Sequence, residues 1–195
     1  MNKPSRGRPS LRKQLIEAAG ELLRDEGPSA LTARAVARRA GVAEATVFNN
    51  FGDLRGLLVA VGREAIPEYD ELMDSINSGP GASVTDWLIE VFKLNRLYIL
   101  AALPLSAQQM MIKTPQQKAD DILVNATQRA ICSQFEMLVS AGKLKKDLDI
   151  SAAAMLLMSG SGFCALCEIT TGLVSPVTED PAELARRMVA QMDLV

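Results

Sequence analysis

Residues 31–51 run LTARAVARRAGVAEATVFNNF, two short stretches of helical spacing that meet at Gly41-Val42. The first starts after Thr32, whose hydroxyl can accept a bond from a first-turn amide, and carries Val36 and Ala40 four residues apart. Gly41 is the residue type that tolerates positive φ at a tight helix exit. The second stretch, residues 43–51, turns Val47 and Phe51 inward with Val42 at the corner and leaves Glu44, Thr46, Asn49 and Asn50 outward. This pattern constrains the segment to a helix-turn-helix whose second helix occupies the recognition position. Similar helix pairs occur in proteins that never touch DNA, so the distribution of charge decides how the pattern is read.

Residues 1–64 hold 11 Lys or Arg against 7 Asp or Glu, whereas residues 65–195 hold 10 against 16. The formal charge of −2 for the whole chain therefore conceals a basic front end suited to phosphate. Lys3, Arg6, Arg8, Arg12 and Lys13 meet no acid before Glu17. Arg6-Gly7-Arg8-Pro9 resembles the core of the AT-hook, a small motif that lays arginines along a narrow A·T-rich minor groove. The plainer reading is a basic tail that adds nonspecific attraction. Both readings predict that truncation lowers DNA affinity and flattens its salt dependence.

Residues 10–58 resemble the DNA-binding domain of the tetracycline-repressor (TetR) family. An amphipathic first helix carries Leu11, Leu15, Ile16, Ala18, Ala19, Leu22 and Leu23 and stops at Gly27. Then come LTARAVA at 31–37, GVAEATVFNNF at 41–51, and Leu57-Leu58. The resemblance implies that Arg34 matches an arginine used on guanine and that Thr32 meets phosphate. It makes Glu44, Ala45 and Thr46 base-facing, sets Phe48 where a tyrosine is usual, and gives Asn49 and Asn50 contacts to bases or backbone. Three departures alter these contacts. Ala43 stands where a serine often caps the helix, a loss of about 1 kcal/mol. Phe48 and Asn50 replace a tyrosine and a histidine, and Leu54 sits where a lysine usually grips phosphate. Arg55 is the available substitute, turned by about 100° on the helix.

Composition points to an all-α chain, because Gly (13) and Pro (9) are sparse among 195 residues and no alternating strand pattern is present. A helix from about Asp53 runs through Leu57, Leu58, Val61 and Ala65 to Pro67, where a kink or break is expected. Further helices are expected at 83–102, 105–113, 115–141, 150–171 and 181–192, with breaks at 79–81, Pro104, Pro115, 143–147 and 172–176. The organisation read from this is a basic arm (1–9), a three-helix helix-turn-helix DNA-binding domain (10–58) and a helical effector-binding and dimerisation domain (59–195).

Eight of the nine methionines follow residue 70, a side chain suited to an adaptable apolar pocket or to ordinary core. Candidate lining residues are Trp87, Asn95, Tyr98, Met110 and Met111, together with Asn125, Gln128 and Phe135. Their types favour a small, largely apolar effector held by a few hydrogen bonds. The resemblance further implies a homodimer in which the last two long helices pair with their symmetry mates. Ser159, Gly162, Leu184, Met188 and Met192 are the candidate contacts.

Catalysis is not expected. The chain has no histidine, which removes the usual triads and every His-based metal site. Asp120 and Asp121 diverge on a helix, Asp147 and Asp149 flank a helix start, and Gly160-Ser161-Gly162 lacks the spacing of a nucleophile elbow. No metal and no cofactor is expected. Three cysteines (Cys132, Cys164, Cys167) without an export signal indicate reduced thiols in the cytoplasm. Cys164 and Cys167 form a C-x-x-C on one helix face, read as small core residues ahead of a redox or metal switch. Residues 150–167 are uncharged and long enough to span a membrane, but their serines and glycines predict a helix buried all round in a soluble dimer.

These readings converge on a ligand-responsive regulator, most simply a repressor, whose dimer reads a palindromic DNA operator. Two other classes remain open at this level: an architectural A·T-rich DNA binder without effector, and a helical small-molecule-binding domain with vestigial DNA binding, supported by Leu54.

Overall fold

The computed structural model describes residues 10–111, 123–173 and 180–191. Every regular element among them is helical: α1 (Leu11–Glu26), a 3₁₀ turn (Pro28–Ala30), α2 (Ala33–Ala40), α3 (Glu44–Phe51), α4 (Leu54–Glu64), α5 (Pro67–Ser78), α6 (Val84–Met111), α7 (Leu123–Ser140), α8 (Ile150–Thr171) and α9 (Pro181–Gln191). Two compact units result, Met1–Ala65 with Pro104–Thr114 and Ile66–Leu103 with Pro115–Val195. The first takes in all of α4, so the boundary expected at residue 58 falls within a helix.

In the first unit α1 packs on α2 and α4, α2 on α3, and α3 on α4. Ser10 caps α1, its Oγ accepting from the Lys13 amide at 3.3 Å, and Gly27 ends the helix. Leu15 and Leu22 of α1, Leu31, Val36 of α2, Val47 of α3 and Leu57, Leu58 and Val61 of α4 are buried together as its core. Each such side chain contributes about 1.5–3 kcal/mol when enclosed, so this wedge fixes how the short α2 and α3 cross.

In the second unit α5 packs on α7, α7 on α8, and α8 on α9. Leu72 and Ile76 of α5, Leu88, Val91 and Phe92 of α6, Ile131 and Phe135 of α7, and Ala154 and Leu157 of α8 are buried. Trp87 donates its indole N–H to the Ser75 carbonyl at 2.9 Å and meets Phe135 edge-on, with ring centroids 6.2 Å apart. Asp149 caps α8 by accepting from the Ala152 amide at 3.0 Å.

The break expected at Pro67 is present: α4 ends at Glu64, and Pro67 opens α5 as a first-turn proline, where its missing N–H leaves no bond unmade. That helix was not anticipated, although Glu68 and Asp70 in its first turn and Leu72 and Ile76 four apart mark it. At Pro104 the opposite happens: α6 continues through it to Met111. Burial of Ala102 and Leu105 on either side offsets the lost backbone bond, which costs about 3 kcal/mol in an exposed helix. Finally, α8 is the one described helix long and apolar enough to cross a membrane, and in the single chain one side of it is buried. Ala153, Ala154, Leu157, Met158, Ser161, Cys164 and Ala165 face inward, while Met155, Leu156, Phe163, Leu166 and Ile169 stay about half exposed.

Candidate nucleic-acid interface

Leu31, fully buried, anchors the start of the helix pair and places Thr32 as the N-cap of α2. The Thr32 Oγ1 accepts from the Ala35 amide at 3.1 Å, which leaves the hydroxyl hydrogen to donate outward. At the far end Gly41 adopts φ 70°, ψ 32°, and the Val42 amide turns back to the Ala37 carbonyl at 2.9 Å. The chain then enters α3 through Ala43, which makes no side-chain cap; Glu44 in the first turn offers its negative charge to the helix dipole instead.

Ala43, Glu44, Ala45, Phe48 and Asn49 are exposed on α3, and Val47 is buried behind them. Thr46 is half-buried. Asn50 was expected to face outward, but its Nδ2 donates to the Thr46 carbonyl at 2.8 Å and its side chain is half-buried. Of the two asparagines, Asn49 is the one whose side chain is exposed.

The arginines of α2 part company. Arg34 is exposed, and Arg38 lies four residues on and is exposed as well. Arg39 is drawn back onto α1 by Asp25 at 3.0 Å, Glu26 at 2.9 Å and Glu21 at 3.5 Å. The hydrogen bond to Asp25, with the neighbouring acids, holds the Arg39 guanidinium above its ordinary pKa. Arg38 was missed in the sequence; the signal that separates it from Arg39 is the acidic end of α1, which becomes a neighbour only on folding.

Asp53 caps α4, accepting from the Gly56 amide at 2.7 Å. Leu54 follows as the first helical residue and is half-buried, so its apolar side chain has a packing role. Arg55 is half-buried too. Arg12 and Lys13 belong to the first turn of α1 and are no part of a free arm, and Arg12 is paired with Glu64. Arg6 and Arg8 lie outside the described residues.

The candidate effector residues are not all brought to one place. Trp87, Asn95, Tyr98 and Phe135 are buried in the second unit, where the rings of Tyr98 and Tyr69 are 5.2 Å apart. Asn95 donates to Ser161 Oγ at 2.5 Å, and that hydroxyl reaches the Met158 carbonyl at 2.9 Å. Thr127, unnoticed in the sequence, is 1% exposed, and its Oγ1 has no hydrogen-bond partner among the described residues. It lies two turns before Phe135 on the face of Ile131. Gln128 instead lines an open surface cleft of about 450 Å³ with Arg129, Cys132, Ser133, Glu136 and Ser151. Met110, Met111 and Asn125 fall outside the described side chains.

Two small residues of α8 lie against neighbours within the chain. A Cβ on Gly160 would lie 2.1 Å from Cε of Met188, and one on Gly162 would lie 3.4 Å from Cδ1 of Ile99. Gly162 and Met188, both expected at a dimer interface, have these neighbours within the chain and are each half-buried. Ser159 stays exposed, Leu184 is half-buried, and Met192 is outside the described residues. The outward stripe is Met155, Leu156, Ser159, Phe163, Leu166 and Ile169, at spacings of three and four.

Burial raises the Cys164 thiol pKa, the reverse of what a redox-active cysteine needs. Burial, with Glu136 nearby, raises that of Cys132. No group of three His, Cys, Asp or Glu side chains among the described residues could hold a metal.

Residues 15–61 match the model of a family described as bacterial regulatory proteins, tetR family. No curated protein matches the chain. Among solved structures, the transcriptional regulator FadR from Bacillus subtilis, in complex with stearoyl-CoA, is 16% identical over 93% of this chain and 97% of that one, with a TM-score of 0.62. GusR from Salmonella enterica is 14% identical over 98% and 99%, with a TM-score of 0.63. A protein of unknown function from Rhodococcus sp. RHA1 is 18% identical over 97% of each chain, with a TM-score of 0.67. At such identities the likeness is one of fold.

Proposed function

We propose that the chain, whose residues 15–61 match the model of the tetR family of bacterial regulatory proteins, is a transcriptional regulator that works as a homodimer released from a near-palindromic operator by a small, largely apolar effector. The observation that carries the reading is the outward face of the helix pair. Thr32, Arg34, Arg38, Ala45, Phe48 and Asn49 are exposed, while the apolar faces of α2 and α3 are spent in the core. Two copies presenting this face to successive major grooves need a separation of about 34–36 Å.

The dimer is supported by the half-exposed apolar stripe on α8, more than a monomeric surface normally leaves uncovered on one helix. An effector is supported by the second unit, where Asn95, Thr127 and Ser161 are buried polar side chains in an apolar shell. That combination suits an apolar molecule with one or two hydrogen-bonding groups. FadR, whose fold this chain shares, was solved with stearoyl-CoA. Weakening operator affinity 100-fold requires about 2.7 kcal/mol of coupling, which is ordinary for allostery. A dimer seated on a promoter blocks polymerase, so repression is the expected sense, and its place of work is the cytoplasm.

The test is selection of genomic fragments by the purified protein at about physiological salt, where nonspecific affinity is only about 10⁻⁴–10⁻⁶ M. Recovery of one short palindrome, lost on Arg34→Ala, is the expected result. Diffuse A·T-rich recovery would replace this reading with the architectural one.

A further inference from the structure

Arg12 and Lys13 are adjacent cations in the first turn of α1, which holds no acid and where the helix dipole disfavours positive charge. Folding treats them differently. Arg12 Nη1 lies 2.7 Å from each carboxylate oxygen of Glu64, in the last turn of α4. Its guanidinium also stands 5.3 Å from the ring centroid of Phe51, the last residue of α3. The Lys13 ammonium has no ion-pair partner among the described residues and is exposed.

Phe51 is gripped from a second direction. Its carbonyl packs so closely on α4 that a Cβ at Gly56 would lie 2.0 Å from the Phe51 oxygen. The end of the recognition helix is thus held between the first turn of α4 and the cation of α1. An ion pair with both side chains 44% exposed is worth little in itself. A planar guanidinium that stacks on a ring while its edge faces a carboxylate is a directional joint, which an ammonium cannot reproduce.

We propose that Arg12 is a positioning residue for DNA reading: by bridging Phe51 and Glu64 it fixes the pitch of α3 against α4, and so contributes to sequence discrimination without touching phosphate. The proposal rests on the DNA-binding reading above. It separates two neighbouring cations that the sequence presents as equivalent. Lys13 is the nonspecific phosphate contact; Arg12 is the joint.

The experiment compares Arg12→Ala, Lys13→Ala and Glu64→Ala in the full-length protein. Affinity is measured across a salt series for the selected operator duplex and for a scrambled duplex. Lys13→Ala should weaken both duplexes by the same factor and reduce the salt slope by about one. Arg12→Ala and Glu64→Ala should each lower the operator-to-scrambled ratio about fivefold, with the slope unchanged, as expected for loss of one cation–π contact and its anchor. Amide exchange of residues 47–51 in the free protein should rise in Arg12→Ala and stay unchanged in Lys13→Ala. That measurement needs no DNA and stands whether or not an operator is recovered. If Arg12→Ala instead behaves as Lys13→Ala, or if exchange in α3 is unaltered, the positioning role is wrong.

Discussion

Phe163 projects from the middle of the outer face of α8 with 56% of its surface exposed in the isolated chain. An aromatic side chain buries about 150–250 Å² when enclosed, so roughly 100 Å² per chain awaits cover. In a two-fold dimer both copies contribute, and about 200 Å² at about 25 cal/mol per Å² gives an upper bound near 5 kcal/mol. Alanine keeps one methyl and the neighbours relax, so Phe163→Ala should weaken association by about half that bound, a rise of nearly two orders of magnitude in dimer dissociation constant. Met155, Leu156, Leu166 and Ile169 are 57, 56, 48 and 50% exposed, and with Phe163 they bring the stripe to about 1,000 Å² over two copies, the lower limit of a specific interface. Sedimentation velocity over a dilution series reads the constant directly, with helical circular dichroism as the check that the variant is folded. Operator affinity should fall with dimerisation, because one half-site holds a single recognition helix. An unchanged dissociation constant in a folded variant would refute the assignment of this face.

Arg38→Ala should weaken operator and scrambled DNA alike and reduce the salt slope by about one, whereas Arg39→Ala should leave that slope unchanged and lower the melting temperature, since its charge is spent on α1. Gly56→Ala should destabilise the first unit by roughly 1–3 kcal/mol, because the added Cβ meets the Phe51 carbonyl head-on; a melting curve like that of the wild type would mean that the contact yields. Cys164 should resist alkylation at pH 8 in the native protein and react on unfolding. Its folded pKa is raised by burial, so the unfolded chain loses the proton first and stability contributed by this thiol declines as pH rises past the free-thiol value; native labelling of Cys164 at the rate of a free thiol contradicts this.

The helix pair was legible because its signals are local. Thr32 as cap, Gly41 at positive φ and Val36 and Val47 as core are properties of residues a few positions apart, and all reappear in the structure. The bounds of α8 were legible for the same reason, from Asp149 and Gly172. What escaped depended on partners distant in the chain. Arg39 differs from Arg38 only because α1 presents Asp25 and Glu26 to it. Arg12 read as a free cation because Glu64 is 52 residues away. Asn50 failed differently: its back-bond to Thr46 is local, but a polar side chain on a helix can turn outward or inward with equal chemical justification.

The tight seat of Phe51 on Gly56 bears on what a signal to this protein can change. With Phe51 seated on Gly56 and joined through Arg12 to Glu64, α3 and α4 tilt together, and the first unit answers a perturbation as one body. In the dimer proposed above, an effector acting on two such bodies alters the span between the readers and leaves the pairing of side chains with bases intact within each half-site. Sensitivity of induction to half-site spacing, and indifference to substitutions inside a half-site, is then the behaviour this geometry imposes on the operator.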